Sequence, residues 1–229
     1  MRRAMLATLL LGLLSGCAGG EASQSAQQAL VDRATLAVQD MLGDNTAPAR
    51  DAANRLRSAR AVVICPQLFR VGFIFGGEGG ACVLVGRDGA GSWSSPAFYG
   101  IGTGSVGLQA GLQDSQVMIM VMNDRALNAL LSSQFTLGAD ASLSVATVGG
   151  GIGGGVTTAV GPDLVTYTRA RGLFAGVTLE GSVLSSREEQ NRAYYGQAAS
   201  ARQIVVDMAV HNPGSDPLRS VLMRFGTRQ

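Results

Sequence analysis

The sequence contains no lysine, a single histidine and few aromatic residues. All 18 basic residues are arginines, set against 16 acidic residues, and charged residues make up only 15% of the 229 positions. Nucleic-acid-binding domains carry a marked basic excess, concentrated in a patch or stripe. The near balance of charge here therefore argues against nucleic acid as a partner.

Groups that commonly perform catalysis or bind metals are scarce. The only histidine is His211, close to Pro213 and distant in sequence from any serine motif. Cys65, Cys82 and His211 do not have the spacing of a zinc site, and no serine stands at the centre of a nucleophile-elbow pattern. The sequence therefore predicts a protein that is not an enzyme and has no metal ion and no cofactor.

Glycine is abundant, at 32 residues, and two glycine-rich stretches invite comparison with nucleotide-binding loops. Residues 102–107 match the dinucleotide-binding spacing, but the seven residues that follow, Leu108 to Asp114, are too few for a crossover helix and include Gly111. Residues 149–155 contain six glycines and are followed by the strand-like Val156-Thr157-Thr158. Both stretches are predicted to be structural, and no nucleotide is expected to bind.

The N-terminal region has the pattern of a lipoprotein signal peptide. Met1-Arg2-Arg3 is followed by an apolar run from Ala4 to Leu13, and Leu14-Ser15-Gly16-Cys17 closes that run. The pattern predicts a signal peptide over residues 1–16, acylation of Cys17 by fatty acid such as palmitate, a tether over 17–22 and one domain over 23–229. We expect a bacterial envelope protein that faces the periplasm, and Ala18 is compatible with the outer membrane.

Two cysteines remain after Cys17, in a chain predicted to enter an oxidising compartment. Cys65 and Cys82 could form a disulfide if neighbouring strands bring their α-carbons within about 7 Å. They could equally be two separately buried thiols. The sequence leaves both alternatives open.

Hydrophobic periodicity predicts helices at both ends of the domain and strands between them. An amphipathic helix ends near Gly43, and a second has Pro48 in its first turn. Strands are predicted over 61–65, 71–75, 81–86, 92–94, 98–112, 116–122, 142–148, 156–160, 164–168 and 173–185, with a helix capped by Asn123 inserted among them. Capping boxes at Ser186 and Ser200 and a last helix from Asp216 complete the chain. This order predicts an α+β fold with a mostly antiparallel sheet.

Several segments resemble the SYLF lipid-binding domain. The resemblance is carried by residues 61–66 (Ala-Val-Val-Ile-Cys-Pro), 71–78 (Val-Gly-Phe-Ile-Phe-Gly-Gly-Glu) and 171–182 (Arg-Gly-Leu-Phe-Ala-Gly-Val-Thr-Leu-Glu-Gly-Ser). It covers roughly 30–196. The resemblance implies a module without catalytic activity that binds membrane lipids, in eukaryotes phosphoinositides, with some members also binding actin. An envelope compartment offers no actin, so actin binding is not expected.

Five arginines at strand boundaries are the candidate lipid contacts, because the guanidinium fork binds phosphate in bidentate fashion. Arg57, Arg60 and Arg70 bracket the first strand, and Arg169 and Arg171 bracket the start of the 171–182 segment. The expected partner is membrane phospholipid with an anionic headgroup. The alternative is a structural or protein-interaction lipoprotein that does not bind free lipid.

Overall fold

The computed structural model describes residues 22–72, 75–106, 111–138, 143–148, 161–170, 173, 174, 179 and 181–227. Cys17, Arg171, the predicted strand over 156–160 and the glycine stretch over 149–155 lie outside the described residues. The described part has the predicted α+β architecture, with a mostly antiparallel sheet between N-terminal and C-terminal helices.

The two N-terminal helices form as their sequence patterns predict. α1 (Gln24–Leu42) begins at Ser23, whose hydroxyl accepts a hydrogen bond from the Ala26 N–H at 3.2 Å. α2 (Ala47–Leu56) begins after Thr46, with Pro48 in its first turn, where a missing N–H costs nothing. The apolar stripe of α1 is buried: Leu30, Val31, Ala34, Ala37, Val38, Met41 and Leu42.

Nine strands form one sheet in the described residues. They are β1 (Ala61–Gly72), β2 (Phe75–Gly86), β3 (Ala97–Val106), β4 (Gly111–Val121), β5 (Gln134–Thr136), β6 (Val145–Val148), β7 (Leu164–Ala170), β8 (Leu173–Phe174) and β9 (Val183–Ser186). The strand order is β5-β9-β3-β2-β1-β4-β7-β6, with β8 also paired to β7. Only the pairing of β6 with β7 is parallel among these strands.

Four further helices complete the described chain: α3 (Asp124–Leu130), α4 (Glu188–Tyr195), α5 (Ala201–Val205) and α6 (Asp216–Gly226). Asn123 caps α3 as predicted, because its side chain accepts from the Ala126 N–H at 2.9 Å. The capping box of Ser200 and Gln203 is also confirmed.

Each face of the sheet covers its own hydrophobic core. Alternate residues of the central strands point to opposite faces, so that Val62, Ile64, Met118 and Met120 pack under α1, α2 and α6. The intervening residues Val63, Cys65, Val117 and Ile119 pack against α3, α5 and β9. Described residues from Leu30 to Leu222 supply both cores, so residues 22–229 include every helix and strand of the described fold.

Several predicted strands and one predicted cap are wrong. The strand predicted over 173–185 is interrupted by a turn at Gly181, β4 begins within the strand predicted over 98–112, and 92–94 contributes only an isolated bridge from Trp93 to Arg87. The segment Val71–Phe75 is not a strand of its own, because β1 continues to Gly72, β2 starts at Phe75 and Val71 pairs with Gly77 across a hairpin. Its apolar residues match a strand pattern but give no signal for the reversal of the chain. Ser186 does not cap α4; it is the last residue of β9, and Arg187 precedes the helix without a side-chain cap.

A bulge and a disulfide occur together where β1 meets β2. Ile64 pairs with Val83 and Gln67 with Ala81, so that Cys65 and Pro66 both oppose Cys82. The structure joins Cys65 and Cys82 in a disulfide, with their α-carbons 4.1 Å apart. Proline suits the bulge because it has no N–H to donate to the ladder.

Candidate functional site

A groove runs along one side of α1, between the helix and the sheet, and we call it the α1 groove. Its helix wall consists of Gln27, Leu30, Arg33, Leu36 and Asp40, which recur every three or four residues and so lie along one line of the helix. Three adjoining depressions form it, with volumes of about 440, 200 and 620 Å³ from the Gln27 end to the Asp40 end.

The opposite wall of the α1 groove is the sheet itself, because the helix lies across the strands. The groove passes residues of β3, β2, β1, β4 and β7 in that order, which is their order in the sheet. Gln27 and Asp40 are thirteen residues apart, or about 20 Å of helix, and five adjacent strands span a similar width.

The bulge in β1 shapes the middle of the groove. Pro66 and Gln67, which follow Cys65 at the bulge, line it together with Gly80 and Ala81 of β2. A side chain at position 80 would place its β-carbon 2.4 Å from the Gln67 carbonyl oxygen. Glycine at this position therefore lets the two strands approach closely, and it keeps the groove open.

Exposed apolar side chains border the groove. Leu36 is 58% exposed on α1 and Phe69 is 43% exposed on β1, and these are two of the four large apolar side chains exposed in the described part. Arg33 lines both the depression that contains Leu36 and the one that contains Phe69, is exposed, and makes no hydrogen bond or ion pair with another described residue. This part of the groove thus combines apolar surface with an unpaired positive charge.

The Asp40 end of the groove is occupied by paired polar groups. Gln67 donates to the Asp114 carboxylate at 2.9 Å, and Gln116 donates to the Asp40 carboxylate at 3.3 Å. Arg169 donates to the backbone carbonyl of Asp40 and lies 3.6 Å from Asp44. These contacts largely balance the charge at this end.

The Gln27 end has a different character. Among the described residues that line it, Arg187 is the only charged one, and Gln27 and Gln190 supply the other polar side chains. Tyr99 lines it as well, but its hydroxyl donates to the Leu130 carbonyl at 3.0 Å. Burial raises the pKa of Tyr99 to about 12, so the phenol stays neutral at physiological pH.

The predicted arginines whose side chains the structure describes, Arg57, Arg60 and Arg169, are not all brought together. Arg57 ends α2, and Arg60 forms an ion pair with Asp124 at 2.8 Å, both near the start of β1. Arg70 lies ten residues further along that strand, about 33 Å from Arg60, and its side chain is outside the described part. Of Arg57, Arg60 and Arg169, whose side chains are described, only Arg169 lines the α1 groove.

His211 contacts a serine that sequence spacing did not indicate. The Ser95 hydroxyl lies 3.1 Å from Nδ1 of His211, and Asp216 lies 3.5 Å from Nε2. Ser95 is only 4% exposed, however, and it also hydrogen-bonds to Ser215 at 3.0 Å. Neither Ser95 nor His211 lines a groove described above, so this arrangement joins the C-terminal segment to β3.

The ranges that the structure describes contain neither a metal site nor a membrane-spanning helix. No group of three His, Cys, Asp or Glu side chains is placed to hold a metal ion. In the same ranges, no helix is both long and apolar enough to cross a membrane.

Comparison with known proteins identifies the family. Residues 102–225 match the family profile described as "Ysc84: Las17-binding protein actin regulator", which is more than half of the chain. The chain belongs to the Ysc84 family. The resemblance to the SYLF domain is thereby confirmed.

Relatives in this family are found in animals and yeast. The human "SH3 domain-containing YSC84-like protein 1" is 32% identical over 174 residues, which are 76% of this chain and 51% of the human protein. "Protein YSC84" of Saccharomyces cerevisiae is 29% identical over 172 residues, covering 73% of this chain and 36% of the yeast protein. The chain thus spans about half or less of the curated relatives that it matches.

Sequence reasoning missed most residues of the α1 groove. Leu36 was detectable, since it is an apolar residue outside the buried stripe of α1. Phe69 was not detectable, because its position at the groove depends on the bulge in β1. Arg187 was not detectable either, because it reaches the groove only where the start of α4 approaches β3.

Proposed function

We propose that this protein is a lipid-anchored module of the bacterial envelope that binds anionic phospholipid surfaces through the α1 groove and catalyses no reaction. The observation that carries the proposal is the exposure of Leu36 and Arg33 on the helix wall of the groove and of Phe69 on its sheet wall. Apolar side chains at the edge of a bilayer contribute by burial, and a nearby arginine contributes by attraction to anionic lipid.

The predicted lipid anchor would complement weak membrane binding by the α1 groove. Each basic residue near an anionic surface contributes roughly 1 kcal/mol, so a few groove residues alone give reversible binding. An acylated Cys17 would tether the domain close to the bilayer and raise the effective concentration of the groove there. α1 begins seven residues after Cys17, so the tether would hold the Gln27 end of the groove near the membrane.

The anchor is tested on protein isolated from membranes of the producing cell. Mass spectrometry should find a mature N-terminus at Cys17 that carries acyl groups, because the Leu14–Cys17 pattern directs acylation. The Cys17→Ser chain should lack them and leave the membrane fraction. An exported chain that still begins at Met1 would contradict the proposal.

The groove is tested with residues 22–229, without any anchor, on vesicles rich in phosphatidylglycerol. Changing Arg33→Gln and Leu36→Gln together should weaken co-sedimentation at least about tenfold, because one charge and one buried leucine are lost. Added salt should weaken binding of the unmodified domain as well, since it screens the charge contribution.

The matched control changes Arg202→Gln and Met223→Gln, an equal loss of charge and a similar loss of apolar surface. Arg202 lies on α5, across the sheet from α1, and Met223 is 42% exposed on α6. Equal binding by the two variants would remove the groove from the mechanism. No vesicle binding by any protein would favour a structural or protein-interaction lipoprotein.

A further inference from the structure

At the Gln27 end of the α1 groove, the guanidinium of Arg187 lies over Gly100, where the lack of a side chain leaves room for it. The guanidinium lies directly against the α-carbon of Gly100, so closely that a β-carbon there would come within 2.5 Å of Nη2 and 2.6 Å of Nε. The backbone of Arg187 is fixed as well, because its N–H donates to the Phe98 carbonyl at 2.9 Å. The backbone of Arg187 is therefore anchored, and its exposed guanidinium occupies space that a β-carbon at position 100 would take.

The surroundings of this guanidinium favour an anion. Within the described part of the chain it makes no hydrogen bond and no ion pair, so its donors are available to a ligand. Gln27 and Gln190 line the same 440 Å³ depression and can donate through their amides, and no described carboxylate lines it. Glu188, the nearest acidic residue in sequence, lines a different depression beside Arg192 and Ser200.

We infer that Arg187, positioned by Gly100, binds a phosphate group at this end of the α1 groove. The guanidinium fork matches two phosphate oxygens, and the flanking amides can bind a third. The inference rests on the proposed function, which makes a phospholipid headgroup the source of that phosphate. It assigns the headgroup to the Gln27 end of the α1 groove. The exposed Leu36 and Phe69 then lie further along the groove, beyond the headgroup.

Gly100→Ala provides a test that does not remove the arginine. Gly100 lies within β3 and has no positive φ, so alanine suits the backbone, and it meets only the mobile end of Arg187. We expect Gly100→Ala and Arg187→Gln each to weaken binding of residues 22–229 to phosphatidylglycerol vesicles about fivefold. Gly102→Ala is the matched control on the same strand, because its β-carbon would meet nothing closer than 3.8 Å. Thermal unfolding should show all three variants folded.

A second experiment distinguishes binding of a lipid headgroup from binding of free phosphate. The Nε–Hε NMR signal of Arg187 is followed while inorganic phosphate is added, with chloride at equal ionic strength as the reference. A shift with phosphate alone, lost in Gly100→Ala, supports a phosphate site even if the vesicles show no effect, and a vesicle effect without that shift supports a headgroup site. If the unmodified domain does not bind vesicles but the Arg187 NMR signal shifts with phosphate, the proposed function fails and this inference stands. If both variants bind vesicles normally and phosphate acts like chloride, the inference is overturned.

Discussion

Replacing Asp163 with alanine should lower the free energy of unfolding by about 3 kcal/mol. This carboxylate is 4% exposed and accepts four hydrogen bonds: from Asn123 at 2.5 Å, from Arg125 at 2.8 Å, and from the Ser144 N–H and hydroxyl at 2.8 and 2.9 Å. It joins the start of α3 to the chain before β6. Its removal takes the acceptor from the partly buried donors of Asn123 and Ser144 and from the largely exposed Arg125. Hydrogen bonds to a charged group contribute about 1.5–3 kcal/mol each, so the loss of the partly buried ones accounts for the expected effect.

Denaturant unfolding of residues 22–229 measures this effect, and Asp124→Ala is the control. Asp124 pairs with Arg60 at a similar distance, but its side chain is 67% exposed, and exposed ion pairs contribute about 0–1 kcal/mol. Losses of the same size in the two variants would contradict the role assigned to the buried carboxylate.

The same residue gives the protein a defined acid sensitivity. Burial alone raises the pKa of Asp163, but the bonds from Ser144, Asn123 and Arg125 outweigh burial and hold that pKa well below its usual range. The stabilisation is therefore complete above the unfolded pKa of about 3.9 and is lost as the pH falls below it towards the folded pKa. Asp163→Asn should flatten this part of the stability profile.

Reduction of the Cys65–Cys82 disulfide should destabilise the domain by about 3 kcal/mol. The two cysteines are 17 positions apart, and closing a loop of that length restricts the unfolded chain by roughly this amount. For a domain of this size the melting temperature should fall by about 6–12 °C. The measurement compares thermal unfolding of residues 22–229 with and without a reductant.

The Cys65→Ala and Cys82→Ala double variant serves as the control for reduction. Its melting temperature should lie near that of the reduced domain and should not respond to reductant. Thiol labelling of the denatured, unreduced domain should find neither cysteine reactive. Two reactive thiols, or an equal response of both proteins to reductant, would show that the bond does not form in solution.

Local patterns predicted the helices and the architecture well, because caps and buried stripes act over a few residues. Ser23, Asn123 and Ser200 cap helices as their spacing indicates, and the apolar stripe of α1 is buried. The hairpin after Gly72 was missed because its flanking residues keep a strand-like composition on both sides of the reversal.

The candidate site depends on long-range placement and was mostly beyond prediction. Arginines were chosen for their positions at strand ends, but a long strand separates its own ends, and β1 holds Arg60 and Arg70 about 33 Å apart. Arg187 was overlooked because its importance comes from Gly100, which is 87 positions earlier in the chain. No local pattern records such a contact.

The course of α1 across five strands also determines how the domain would carry a mechanical load. A pull on Ser23 that is directed along the axis of α1 acts across the strands beneath the helix. To yield, the helix would have to slide its whole buried stripe over the sheet, with Val31, Ala34 and Val38 leaving their packing sites together. Force applied at this end is therefore resisted in shear by many contacts at once, whereas a pulled edge strand would peel away one residue pair at a time.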